Sequence, residues 1–131
     1  MKDILVPVSP GELLDKITIL RIKAARITDP DKLAHVRLEL ELLERTWRDA
    51  CAGTELAAEE AALQAVNARL WDIEDRIRDK ESAGCFDPQF IELARAVYLT
   101  NDERAALKRQ VNVALGSRLR EEKSYRPYQR R

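Results

Sequence analysis

Apolar residues recur along most of the chain in alternating steps of three and four, the period of one helix face. The first seam is Leu13, Ile17, Leu20, Ala24 and Ile27. It predicts a helix over about 10–27, with Ser9 as N-cap, Pro10 at the first helical position and Glu12 as the third-position partner of a capping box. A second seam, Leu33, Val36, Leu40, Leu43, Trp47 and Ala50, follows Asp29-Pro30 and stops at Gly53. A third, Leu63, Val66, Leu70, Ile73 and Ile77, starts near Thr54 or Glu55 behind an alanine-rich opening and stops at Gly84. The fourth opens at Asp87-Pro88 and carries Phe90, Ala94 and Val97, with Gly116 as its stop. Inside it, Thr100-Asn101-Asp102-Glu103 spells a second capping box. Either one helix continues to Leu115, or a fifth helix starts at Thr100.

The pattern predicts an all-α fold: an antiparallel bundle of four to five helices, packed at shallow angles because the seams repeat about every 3.5 residues. Residues 3–8 form a short extended lead-in, limited by Pro7. The chain of 131 residues reads as one domain, with its core over about 9–116 and a polar, basic, flexible tail over 117–131.

Charge refines this picture. The chain holds 23 basic and 23 acidic residues, so a whole-chain basic field for nucleic acid is absent. The balance is local, however: 116–131 carries six basic and two acidic residues, +4 against −4 for the remainder. No apolar run approaches the ~18 residues of a membrane span, and the opening residues lack a signal-peptide core. The cytoplasm is the expected compartment. Cys51 and Cys85 are not a CxxC pair. A single intervening helix of ~30 residues would hold them ~45 Å apart, so both read as free thiols.

Several stretches are distinctive in wording as well as in period. They are Val6 to Leu20 (VPVSPGELLDKITIL), Asn67 to Asp75 (NARLWDIED), Phe90 to Arg95 (FIELAR), Thr100-Asn101-Asp102, and the ending Glu121 to Tyr125 (EEKSY). Together they resemble a family of small bacterial proteins of unknown function, often encoded near glycosyltransferases and other genes of cell-surface polysaccharide assembly. The resemblance spans nearly the whole chain. It implies a setting and carries no reaction or catalytic residue with it.

The residues themselves offer four candidate chemistries. First, stepping on from Phe90, Ala94 and Val97 reaches Asn101, Arg104 and Lys108 before apolar Val111 and Leu115 return, with Asn112 alongside. On a continuous helix these polar groups point inward and need partners. They could then form an anion pocket for a phosphorylated sugar or nucleotide. On a helix restarted at Thr100, a stripe of Ala106, Leu107, Val111 and Ala114 is buried instead. Second, Asn67, Trp71 and Glu74 edge the third seam. Asn67 and Glu74 could partner Lys108 or Arg104, as a structural network or as one wall of a ligand site.

Third, Glu12 and Asp15 share a helix face and, opposed by Asp72 or Glu74, could hold Mg²⁺ through oxygen. Lys16 and the capping role of Glu12 compete with that, and the expectation is no metal. One histidine and two distant cysteines give no soft-metal set. Fourth, Ile19 and Ile22, and Leu38 and Leu42, form second apolar ridges about opposite their seams. Such ridges suit another helix of the same chain, a homodimer or a protein partner.

Finally, the tail from Arg126 to Arg131 mixes aromatic and basic residues, either solvated or touching an acidic partner, an anionic membrane or nucleic acid. Without a catalytic motif, these features favour a helical interaction or accessory protein over an enzyme. The alternative is a binding protein or enzyme for a phosphorylated sugar or nucleotide.

Overall fold

A computed structural model describes residues 1–129, and shows an all-α bundle of four helices: α1 (Pro10–Arg26), α2 (Pro30–Ala50), α3 (Ala57–Ser82) and α4 (Pro88–Ala114). Three of the four start as the sequence dictates. Ser9 Oγ accepts from the Glu12 amide (3.2 Å), an Asp29 carboxylate oxygen from the Lys32 amide (3.2 Å), and an Asp87 oxygen from the Phe90 amide (3.0 Å), each followed by proline. The start of α3 is later than expected. Leu56 holds the cap position; its apolar side chain has no acceptor to offer and is buried in the core, and Glu55 supplies the acceptor for the Ala57 amide (2.8 Å). Residues 1–8 are extended and exposed, with no strand.

The core gathers Leu13, Leu14, Ile17, Trp47, Leu56, Leu63 and Val111, with Leu40, Leu43, Leu107 and Leu115 packed around it. α1 is the hub: it packs against all three other helices, α3 packs against α4, and α2 packs against α1 alone. That isolation explains α2. Of its seam, Trp47 is buried, Leu33, Val36, Leu40 and Leu43 are half-buried and Ala50 is exposed.

α4 is continuous through Thr100, so the fifth helix does not form. Thr100 is itself buried in the helix interior, and continuity keeps the original seam in phase. Asn101 and Arg104 are half-buried, Lys108 and Val111 buried and Leu115 half-buried, whereas Ala106 and Ala114 of the restarted stripe are exposed. The two ridges proposed for a partner separate. Ile22 is 5% exposed, covered by the chain's own helices, which removes it from any interface. Ile19 is half-buried at a cleft. Leu38 and Leu42 remain 60% and 43% exposed on α2. Among the described residues, no helix is long and apolar enough to cross a membrane.

Candidate functional site

The inward polar run of α4 meets α1 in a chain of charge pairs. Arg104 grips Asp15 with two bonds, Nε to Oδ1 at 2.8 Å and Nη2 to Oδ2 at 2.5 Å. The Asp15 side chain is only 2% exposed. Its Oδ1 also accepts from Asn67 Nδ2 of α3 (2.9 Å), which donates to Thr18 Oγ1 as well (2.9 Å). Thr18 in turn donates to the Asp15 carbonyl (2.8 Å). Burial pushes the Asp15 carboxyl up, but the bonds from Arg104 and Asn67 and the charges of Arg104 and Lys108 outweigh it. The result is a carboxyl below its ordinary value of 3.8. The bond to Asp15 raises Arg104 above its usual range in return.

One turn further along α4, buried Lys108 bridges two carboxylates: Glu12 of α1 at 2.7 Å, and Glu121 from the segment after α4. Burial lowers the Lys108 ammonium, and its two carboxylate partners more than restore it. Glu12 is therefore not the reciprocal half of a capping box. Ser9 caps its amide, and the carboxylate reaches across to Lys108 instead. The next turn brings Asn112, whose Oδ1 accepts from the Gly11 amide at 2.7 Å. These bonds satisfy the early amides of α1 that a helix start leaves open.

The six residues expected to share a ligand site fall into two groups. Asn67, Glu74, Asn101 and Arg104 line one open cleft of about 420 Å³, together with Ile19, Leu70, Trp71 and Asp75. Lys108 and Asn112 lie outside it, against a narrow notch beside Glu121. The anion grip expected of Arg104 and Lys108 is corrected on two grounds. The two cations face different spaces, and each is already neutralised by a carboxylate. Nor does Glu74 partner either one: it pairs with Arg78 at 3.3 Å. The carboxylates considered for Mg²⁺ are engaged in the same way. Asp15, Glu12 and Asp72 each pair with a cation, the last with Arg26 at 2.6 Å. No carboxylate group with metal-site geometry occurs among the described residues.

The cleft that remains has a definite character. Trp71 gives it an aromatic wall, with Arg26 over the indole at 5.7 Å from the ring centroid. Glu74 and Asp75 form an acidic rim. Arg104 keeps only Nη1 outside its grip on Asp15, at 3.5 Å from Asn101 Oδ1. Thr18 and Glu121 are the site residues that the sequence reading left out, and Asp15 entered it only as a possible oxygen ligand. Gly11, Asp15, Thr18 and Ile22 follow steps of four, three and four, a helical stripe that an apolar-only reading passes over. Glu121 has no local signal beyond lying in the distinctive ending.

Many of these residues come from the stretches with distinctive wording, Ser9 to Thr18, Asn67 to Asp75, Asn101 and Glu121, whereas Arg104, Lys108 and Asn112 lie outside them. No curated protein and no solved structure matches the chain. A family model does match, over residues 4–129. The chain thus belongs to DUF6165, a protein family of unknown function.

Proposed function

We propose that this protein is a small-molecule binding module whose ligand lies in the cleft between Trp71 and Asn101. The observation that carries the reading is that Asn67, Glu74, Asn101 and Arg104, from two helices, line one water-accessible space of about 420 Å³ beside an aromatic ring. Ligand sites of small proteins combine this volume with apolar walls and a few fixed polar groups. The charge selects the class. Arg104 is neutralised by Asp15, while Glu74 and Asp75 line the cleft, so a phosphate is disfavoured there. A neutral or amine-bearing sugar fits better: Trp71 offers a ring face, and Asn101, Glu74 and Asp75 offer hydroxyl and amine partners. The role is binding rather than catalysis, since the paired charges beside the cleft, Asp15 and Arg104, satisfy each other.

The setting we propose is an accessory protein of cell-surface polysaccharide assembly in the cytoplasm, supported by the resemblance of the motifs and by this sugar-compatible chemistry. Titration with neutral sugars, amino sugars and their phosphates, read by tryptophan emission and thermal shift, tests it. The expected result is saturable binding of an unphosphorylated sugar, weakened about tenfold or more by Asn101→Ala or Glu74→Gln. Binding of the phosphorylated forms alone, or binding indifferent to both substitutions, would overturn it.

Leu38 and Leu42 favour a second reading, as an interaction protein. They stand exposed one turn apart on α2, the helix that packs against α1 alone. The proposed occupant of this face is a second copy of the chain. Light scattering on the purified protein should give a dimer mass that Leu42→Glu halves, and a wild-type monomer at high concentration would refute the dimer.

A further inference from the structure

The segment after α4 folds back along that helix. The Ser117 amide donates to the Asn112 carbonyl (2.9 Å), Glu121 binds buried Lys108, and the Tyr128 hydroxyl donates to Asp102. The rings of Tyr98 and Tyr128 meet edge to face, centroids 5.2 Å apart. Asp102 lies six residues before Lys108, about 9 Å along the helix axis, so residues 121–128 retrace α4 toward its start. The tail expected to be flexible therefore touches α4 at Ser117, Glu121 and Tyr128, while Arg130 and Arg131 lie outside the described residues.

Between this segment and α4 is a cavity of about 280 Å³. Ala105 and Ala106 give it a small-residue floor, and Arg109, Lys123 and Arg126 give it three positive charges. Arg120 adds a fourth in the adjoining notch, where its guanidinium donates to the Ser117 carbonyl at 3.4 Å and makes no ion pair among the described residues. One acid, Asp102, shares the cavity lining and accepts from Tyr128, so the lining cations outnumber the acids three to one. Glu121 holds Lys108 with Lys123 at 3.7 Å, and Glu122 lines neither space. Arg109 and Arg126 make no ion pair or hydrogen bond among the described residues. Docking the segment thus gathers cations against their mutual repulsion, a geometry that an anion relieves. Tyr125 lines the same cavity, with the Lys123 ammonium 5.9 Å from its ring centroid.

From this geometry we infer a second ligand site, distinct from the Trp71 cleft. Arg109, Lys123 and Arg126 bind the phosphates of a nucleoside diphosphate whose base rests on Tyr125. Guanidinium groups match phosphate oxygens in pairs, and an aromatic ring accepts the flat face of a base. This inference stands independently of the sugar reading, because none of these residues lines the other cleft.

Titration calorimetry of the full chain with ADP, inorganic pyrophosphate and phosphatidylglycerol vesicles tests it. ADP should bind saturably, at least several-fold tighter than pyrophosphate. Arg109→Ala and Arg126→Ala should each weaken both about tenfold or more, and Tyr125→Ala should erase the preference for ADP. Glu74→Gln should leave ADP binding unchanged. All these positions lie on the surface, so unchanged melting curves will confirm that the variants are folded. Absence of saturable ADP binding, indifference to the arginine changes, equal affinity for ADP and pyrophosphate, or binding to the vesicles alone would each overturn the inference.

Discussion

Arg104→Met lowers stability by about 3–5 kcal/mol, more than Asp15→Ala does, although the two residues form one pair. The asymmetry follows from where each charge is left. Removing Arg104 strands Asp15, whose side chain is 2% exposed, as a buried carboxylate with one side-chain hydrogen bond, from Asn67, and the more distant charge of Lys108. Removing Asp15 strands Arg104, whose side chain is 29% exposed and borders the open cleft, so water recovers part of its solvation. The cost of Asp15→Ala is therefore smaller, about 2–3 kcal/mol. For a domain of this size, the larger loss corresponds to a melting temperature lower by roughly 10–20 °C.

The pH dependence separates the two cases. In the wild-type protein the Asp15 carboxyl lies below its ordinary value. Its stabilisation is present above that ordinary range and is lost as pH falls through the still lower folded value. In Arg104→Met, burial dominates and the carboxyl moves above the ordinary value. The deficit of this variant is then full near neutrality and shrinks as pH falls toward 4. Urea unfolding of both variants from pH 7 to pH 4, with a carbon NMR titration of Asp15, measures this. A deficit below about 1 kcal/mol, or one that grows on acidification, would show that the pair contributes little.

This pair also marks how far the sequence could be read. The helix starts were legible because proline after a capping side chain is a local signal. The inward aim of Asn101, Arg104 and Lys108 was legible because a helix face propagates at fixed period. What local rules gave wrongly was the restart at Thr100. The capping-box wording is present, but continuity packs Leu115 against the core and aims Arg104 and Lys108 at the carboxylates of α1, and these contacts outweigh the gain from a cap. The cleft was legible in part, since Asn67, Glu74, Asn101 and Arg104 do line one space. The partners were not. Glu12 meets Lys108 across 96 residues of chain and Asp15 meets Arg104 across 89, and no local pattern encodes which carboxylate faces which cation. The shared anion grip expected of Arg104 and Lys108 meets this obstacle, and a further group of cations, Arg109 on α4 with Lys123 and Arg126 after it, gathers where the chain folds back.

Gly11 carries the other large expected effect, and its cause is contact rather than backbone strain, since its φ is not positive. A Cβ at this position would stand 2.4 Å from the Lys108 carbonyl oxygen and 2.9 Å from Asn112 Oδ1. The carbonyl belongs to the interior of α4 and yields only if the two helices part. In an exposed helix, glycine to alanine gains up to about 1 kcal/mol. Here that gain is outweighed by overpacking of about 1–3 kcal/mol, and by stretching of the 2.7 Å bond from the Gly11 amide to Asn112, a residue 2% exposed. Gly11→Ala should therefore destabilise by about 2–4 kcal/mol net. Separation of α1 from α4 also loosens the Glu12–Lys108 bridge, and with it the docking of Glu121. Adding Asn112→Ala relieves the side-chain clash but leaves the carbonyl clash, so it should cost about 1 kcal/mol less in the Gly11→Ala background than in the wild-type chain. Urea unfolding of the four proteins completes this cycle. Equal or greater stability of Gly11→Ala would mean that α1 and α4 are not held as closely as their bonds require.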